Sequence, residues 1–179
     1  MTLLVGIKCE DGIVVAADRA VTFAAGGAPT ISHLACKISV IENKMIIAGT
    51  GSVGGTQRFC ETSQLVWTQI RAGGSDIANM PPLQVCRILC GNAFNDAKST
   101  HLTKPDLGAL VAFPNTASGP QLCEFDSDNF QPELKDAGTW FVSMGSGQGV
   151  CDPYLAFMRE VFWRDGSPKL KHGCSQLRG

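Results

Sequence analysis

The sequence predicts an α+β fold in which two stacked antiparallel sheets carry helices on their outer faces. Three observations lead there. Short apolar runs separated by turn residues fill the first 50 residues and return after residue 107. Two longer stretches with helical spacing lie between those blocks, and a third follows them. Helices gathered between blocks of strands do not match the alternating strand–helix units of a parallel sheet.

Residues 3–9 read as a first strand, Glu10-Asp11-Gly12 as a turn, and Ile13-Val14-Val15-Ala16-Ala17 as a second strand. That second run is apolar at every position, which predicts cover on both faces. Another hairpin joins residues 37–41 to 45–48 through Glu42-Asn43-Lys44. The glycine-rich elbow Gly49-Thr50-Gly51-Ser52-Val53-Gly54-Gly55 opens a helix whose Phe59, Thr62, Val66, Trp67 and Ile70 share one face, and Ala72-Gly73-Gly74 ends it. Pro81-Pro82 predicts the start of a second helix, because proline is tolerated in the first turn. Leu83, Cys86, Cys90 and Phe94 are its expected apolar stripe. Strands are expected again at residues 107–113, 121–125, 130–134 and 139–144. Asp152-Pro153, an N-cap followed by proline, predicts the start of a third helix. Its apolar face is Tyr154, Phe157, Met158, Val161 and Phe162, and Arg164-Asp165-Gly166 is its expected end.

The chain has 179 residues, 44% of them hydrophobic, which suits one globular domain over residues 1–179. The net charge is −1 and the pI about 6.3. Neither is the footprint of a nucleic-acid or anionic-membrane binder, and Lys169-Leu170-Lys171-His172 reads as a solvated loop. No apolar run reaches the roughly 18 residues of a membrane helix. The first residues carry neither a basic region nor a small-residue cleavage site, so a cytoplasmic protein is expected. The eight cysteines form no Cys-x-x-Cys pair. Cys86 and Cys90 are one helical turn apart, but no nearby histidine completes a metal site. They are expected to pack as reduced, apolar thiols. The three histidines (His33, His101, His172) stand alone, which argues against a histidine-based triad or a zinc enzyme. No metal or cofactor is expected.

The chemistry starts at the second residue. Thr2 is small, so Met1 is expected to be removed. That leaves a threonine carrying a hydroxyl and a free α-amine, whose pKa of about 7.7–8 suits a base at neutral pH. Nucleophile and base on one residue need no histidine, although many proteins begin Met-Thr for no catalytic reason. Asp18 ends an apolar strand in Ala16-Ala17-Asp18-Arg19, and a buried carboxylate there needs a partner. Lys37, after Ala35-Cys36, can be that partner and can favour deprotonation of a nearby hydroxyl and amine. An exposed turn aspartate and an edge lysine are the alternative. Ala48-Gly49-Thr50-Gly51 offers backbone N–H donors at a strand-to-helix junction, as an oxyanion site requires. It is not a phosphate loop. Met144-Gly145-Ser146-Gly147 follows another apolar strand and lacks the Gly-x-Ser-x-Gly form of a nucleophile elbow.

Taken in order, these pieces resemble the proteasome β-subunit pattern of N-terminal-nucleophile hydrolases. They are Thr2, a hairpin ending in Ala-Ala-Asp-Arg, Lys37, Ile-Ala-Gly-x-Gly before a long helix, and a late Gly-Ser-Gly. The resemblance runs from Thr2 to about Phe162. Gly49-Thr50-Gly51-Ser52-Val53-Gly54, Gln57-Arg58-Phe59-Cys60, Ala109-Leu110-Val111-Ala112-Phe113-Pro114 and Met158-Arg159-Glu160-Val161-Phe162-Trp163 look most like the branch called the betaproteobacterial proteasome homologue.

The resemblance implies an αββα four-layer sandwich, assembled as stacked homo-oligomeric rings that cleave unfolded proteins or peptides. It leaves open whether an unfoldase ATPase takes part. By position, Thr2 would attack the carbonyl and its amine would take the proton. Lys37 would depress the local pKa, Asp18 would hold Lys37, Gly49 N–H would bind the oxyanion, and Ser146 would orient the amine. Thr22 would pair its backbone with an extended substrate. Gly51 would line the substrate site, and Ile47 the first specificity pocket, implying a small or medium apolar preference. The family carries a fourth helix and closing strands that the residues after the third helix do not match. The resemblance therefore implies truncation after about residue 172, and Asp165-Gly166-Ser167 lies too close to the third helix to replace the family's late Asp and Ser. A non-catalytic scaffold or ring subunit, and a small-molecule amidase of the same nucleophile class, are the competing readings.

Overall fold

The computed structural model describes residues 2–25, 28–164 and 168–170, with the backbone alone at 21–25 and 28–33. In chain order the strands and helices are β1 (Leu4–Cys9), β2 (Gly12–Ala17), β3 (Ala20–Ala25), β4 (Ala28–Leu34), β5 (Ile38–Ile41), β6 (Met45–Gly51), α1 (Val53–Ala72), α2 (Pro82–Ser99), β7 (Leu107–Phe113), β8 (Gln121–Phe125), β9 (Pro132–Leu134), β10 (Phe141–Met144) and α3 (Gln148–Phe162). A short 3-10 turn, Ile77–Asn79, joins α1 to α2. Three strands pair as β10-β1-β2 and five as β5-β6-β7-β8-β9, every pairing antiparallel, while β3 and β4 form a separate hairpin. This is the expected α+β sandwich of two antiparallel sheets with three helices.

Strand alternation divides the core in two. Met45 and Ile47 of β6, with Ala109, Val111 and Phe113 of β7, join Phe59, Val66 and Trp67 of α1 and Val85 and Leu89 of α2 in the larger buried cluster. Ala48 and Leu110 point the other way and meet Leu4, Leu122, Val142 and Met144 between the sheets. β7 is buried at every position because it has cover on both faces.

Four local expectations need correction. β2 is not covered on both faces: most of its positions are half-buried and Ala16 is exposed. It is the edge of a small sheet, and α3 packs instead on β10. On α2, Leu83 is 43% exposed, and Val85 and Leu89 take the inward positions beside Cys86 and Cys90. α3 starts at Gln148, so Pro153 lies inside it. The turn before it sets that start, with Gln148 N–H bonded to Gly145 O, and Val150 and Cys151 N–H to Gly147 O. Within the helix, Pro153 costs the bond its N–H would have made to the Gly149 carbonyl. The expected apolar face of α3 also points outward, with Tyr154, Phe157, Val161 and Phe162 exposed. The helix ends at Phe162; Asp165 and Gly166 of its expected end lie outside the described residues. Residues 168–170 return to the β1–β2 turn, where Glu10 N–H bonds Pro168 O and Leu170 N–H bonds Asp11 Oδ1.

The fourth correction is the strand expected from residue 130, which begins at Pro132. Phe130 has a left-handed backbone (φ 55°) and a fully buried ring. The ring packs on Phe59 and Phe125 with centroids 5.3 and 5.1 Å away. Its loop is held by Asp126, which accepts from the N–H groups of Asp128 and Asn129 and binds Phe130 N–H through its own carbonyl. The aromatic packing therefore outweighs a backbone conformation that costs a non-glycine residue about 1–2 kcal/mol. Phe130→Ala is expected to destabilise the fold by about 3–5 kcal/mol, read as a lower denaturation midpoint at unchanged m-value.

Candidate active site

Three strand ends meet around Thr2. Thr2 precedes β1, Asp18 follows β2, and Lys37 precedes β5. The Lys37 ammonium donates to Asp18 Oδ1 at 2.8 Å and to Thr2 Oγ1 at 3.1 Å. Its side chain is only 7% exposed, and that of Asp18 29%. Of the two sequence readings, the structure therefore shows the paired one.

Asp18 is tied down on both oxygens. Leu3 N–H donates to Oδ1 at 2.7 Å and Ala20 N–H to Oδ2 at 2.8 Å. Its own N–H bonds Leu3 O at 3.0 Å. Burial pushes the carboxyl upward, but the hydrogen bonds from Lys37, Leu3 and Ala20 and the Lys37 charge outweigh it. The carboxyl is held below its ordinary value.

The turn after β10 closes on the same residue. Thr2 N–H donates to Ser146 Oγ at 2.9 Å, and Gly147 N–H donates to Thr2 O at 3.1 Å. Gly145 has φ +93°, and a Cβ there would lie 2.4 Å from Thr2 O. Only glycine fits that position, so the Gly-Ser-Gly motif is a cradle for Thr2.

A cavity of about 420 Å³ opens beside Thr2, with Lys37, Gly49, Thr50 and Gly51 along its floor. Gly49 is glycine because α1 lies against it: a Cβ would sit 2.3 Å from Thr56 Cγ2. The Gly49 N–H donates to Lys37 O at 3.2 Å, so an oxyanion would have to draw it from that carbonyl. Gly51 lines the cavity. Ile47 does not. It shares the helix-facing side of β6 with Gly49, but it is fully buried in the cluster under the helices and absent from the cavity wall, which corrects that expectation. Thr22 lies on β3, paired with Ser32 of β4, and β3 has no second partner strand among the described residues.

The far wall was missed in the sequence. It is made by Ser39 of β5 and by Val53, Thr56, Gln57 and Cys60 of α1. Those four helix positions follow i, i+3, i+4, i+7 spacing and so share a face. That signal was readable, but its residues are not all apolar. Among the described residues no group of three His, Cys, Asp or Glu could hold a metal ion.

Because the folded Asp18 pKa is depressed, its pairing stabilises the fold fully above the unfolded value of about 3.9 and is lost as pH falls through the folded value. Asp18→Asn is therefore expected to be less stable than wild type at neutral pH. The gap should narrow in acid, because only wild type loses this contribution there. Urea unfolding at a series of pH values from 7 down to about 2 checks both.

No curated protein matches the chain. No helix among the described residues is long and apolar enough to cross a membrane. The family model described as Proteasome subunit matches residues 2–158, and the chain belongs to that family.

Proposed function

We propose that this chain is the peptidase subunit of a self-compartmentalising ring, cutting peptide bonds with Thr2 after Met1 is removed. One observation carries the reading: the buried Lys37 ammonium, fixed by Asp18, donates to the hydroxyl of Thr2. A lysine so placed favours the alkoxide as the hydroxyl loses its proton.

The steps follow from the geometry. The freed α-amine of Thr2 takes the hydroxyl proton, directly or through a water, while Oγ attacks the peptide carbonyl. Ser146, whose Oγ lies 2.9 Å from Thr2 N, orients that amine. The Gly49 N–H turns from Lys37 O toward the developing oxyanion. The amine then protonates the leaving nitrogen, and water hydrolyses the threonyl ester. Substrate lies extended along β3 at Thr22, adding a strand, with Gly51 on the cavity floor.

Ring assembly is supported by α3, which leaves Val150, Tyr154, Phe157, Val161 and Phe162 more than half exposed along one helix. Neighbouring copies of this chain would cover that surface. The reading includes a cytoplasmic protein acting on unfolded proteins or peptides. It places the chain in the betaproteobacterial branch on the segments at residues 57–60 and 158–163. The chain is further read as one domain.

The test is covalent labelling by an electrophile that closes a ring with both the hydroxyl and the α-amine of an N-terminal threonine. Intact mass should show loss of Met1 and one adduct per chain. Thr2→Ala should take none, and Lys37→Ala should lose peptide hydrolysis by a factor on the order of 10²–10⁴. Correctly processed protein that assembles into rings but takes no label would assign the chain as a non-catalytic ring subunit.

A further inference from the structure

We infer that Asp152 is a positioning residue for Thr2: by binding Ser143 and Gln148 at once, it fixes the turn that carries Ser146. The inference rests on the reading of Thr2 as nucleophile and of Ser146 as the group that orients its amine. Ser146 is exposed, so packing does not hold its side chain. Its place follows from the backbone of Gly145–Gly147, the three residues between the end of β10 at Met144 and the start of α3 at Gln148. With a glycine on each side of Ser146, that turn is only as fixed as the two elements it joins.

Of those two elements, one is loosely seated. β10 pairs with β1 along its length, with Ser143 opposite Val5. α3 has no buried residue, so packing alone holds it weakly on the sheet. Its far end rests on ring contacts, with Arg159 over Phe141 at 6.0 Å and Trp163 beside Trp140 at 5.8 Å. Its near end depends on Asp152. One carboxylate oxygen accepts from Ser143 Oγ on β10, and the other accepts from Gln148 Nε2 at 3.1 Å. The clamp thus spans the turn, from the strand before it to the first residue of the helix after it. Ser143 is 1% exposed, so its hydroxyl cannot turn to water if the carboxylate is removed. The Cys151 thiol also reaches Ser143, but sulfur is a weak acceptor and does not replace the carboxylate. What passes to Thr2 is geometry. Thr2 N–H donates to Ser146 Oγ at 2.9 Å, and Gly147 N–H donates to Thr2 O at 3.1 Å. A shift of the turn by about 1 Å would break both, and misplacement on that scale can cost a rate about 10²-fold.

The test compares wild type, Asp152→Ala, Ser146→Ala and the double variant on one peptide. Asp152 is not on the wall of the cavity beside Thr2, so Asp152→Ala should lower kcat about tenfold and leave KM within about twofold. In the Ser146→Ala background the same change should cost less than about twofold, because no hydroxyl remains to be misplaced. Equal losses in both backgrounds, a rise in KM alone, or a Ser146→Ala that costs nothing overturns the inference. Asp152→Asn keeps an oxygen for Ser143, and its amide can pair with the Gln148 side-chain oxygen. It should recover most of the lost rate, and no recovery rejects the clamp. A second measurement needs no turnover. In Thr2→Ala protein, adding Asp152→Ala should speed amide exchange at Gly147 about tenfold relative to Val111, which sits in the core on β7 and reports global opening. An unchanged ratio overturns the inference even if wild type takes no Thr2 label, the result that would defeat the hydrolysis reading alone.

Discussion

The rest of the structure depends on where one ammonium group is held. Lys37 is nearly excluded from water, and a lysine in that position is tolerated only with partners close enough to replace its hydration. It has two, the carboxylate of Asp18 and the hydroxyl of Thr2. These three residues lie at the start of β1, the end of β2 and the start of β5. The pair therefore joins the three-stranded sheet to the five-stranded one at the point where the chain begins. Removing either ion would leave the other poorly solvated, so the bridge constrains the sandwich as well as the site.

The sheet order supplies the remaining restraint. β1 pairs with β2 on one edge and β10 on the other, with Leu4 opposite both Ala17 and Met144. Continuing that register past the strand ends brings Asp18 and the Gly145–Gly147 turn to the first residues. Asp18 then receives Leu3 N–H, while the turn receives both the N–H and the carbonyl of Thr2. Backbone pairing, more than side-chain packing, determines where Thr2 sits.

Much of this was legible because it depends on local chemistry. A carboxylate ending an apolar run and a lysine in an apolar setting each need a partner if buried, so the Asp18–Lys37 pair could be proposed from the residues, but an exposed turn aspartate and an edge lysine fitted them as well. The β1–β2 and β5–β6 hairpins and the start of α2 at Pro81-Pro82 were readable from turn residues. Features decided by tertiary cover were not. Period-two alternation does not say which face of β2 lacks a neighbour, and helical periodicity on α3 marks an apolar face without saying what covers it. Asp152-Pro153 carried a proper capping signal, but hydrogen bonds to Gly145 and Gly147 started the helix earlier. Phe130 sits in a loop that its neighbours' rings stabilise, and no local pattern announces that. The cavity face of α1 escaped notice because three of its four residues, Thr56, Gln57 and Cys60, are polar or thiol-bearing.

Ile47 lies in the core rather than on the cavity wall, although it shares a face of β6 with Gly49. Along β6, Met45 and Ile47 face the helices and Ala48 faces the other sheet. Gly49 returns to the helix side, where the first turn of α1 presses on it so closely that no Cβ fits. Ile47 belongs to the buried cluster that includes Phe59 of α1, so it bears on the site through that helix and not from the cavity wall. Changing its size would act through the position of α1, and so on Thr56, Gln57 and Cys60 together. The residues able to alter the cavity's chemistry without disturbing its floor are those on the helix and on β5, where the wall is not part of the core.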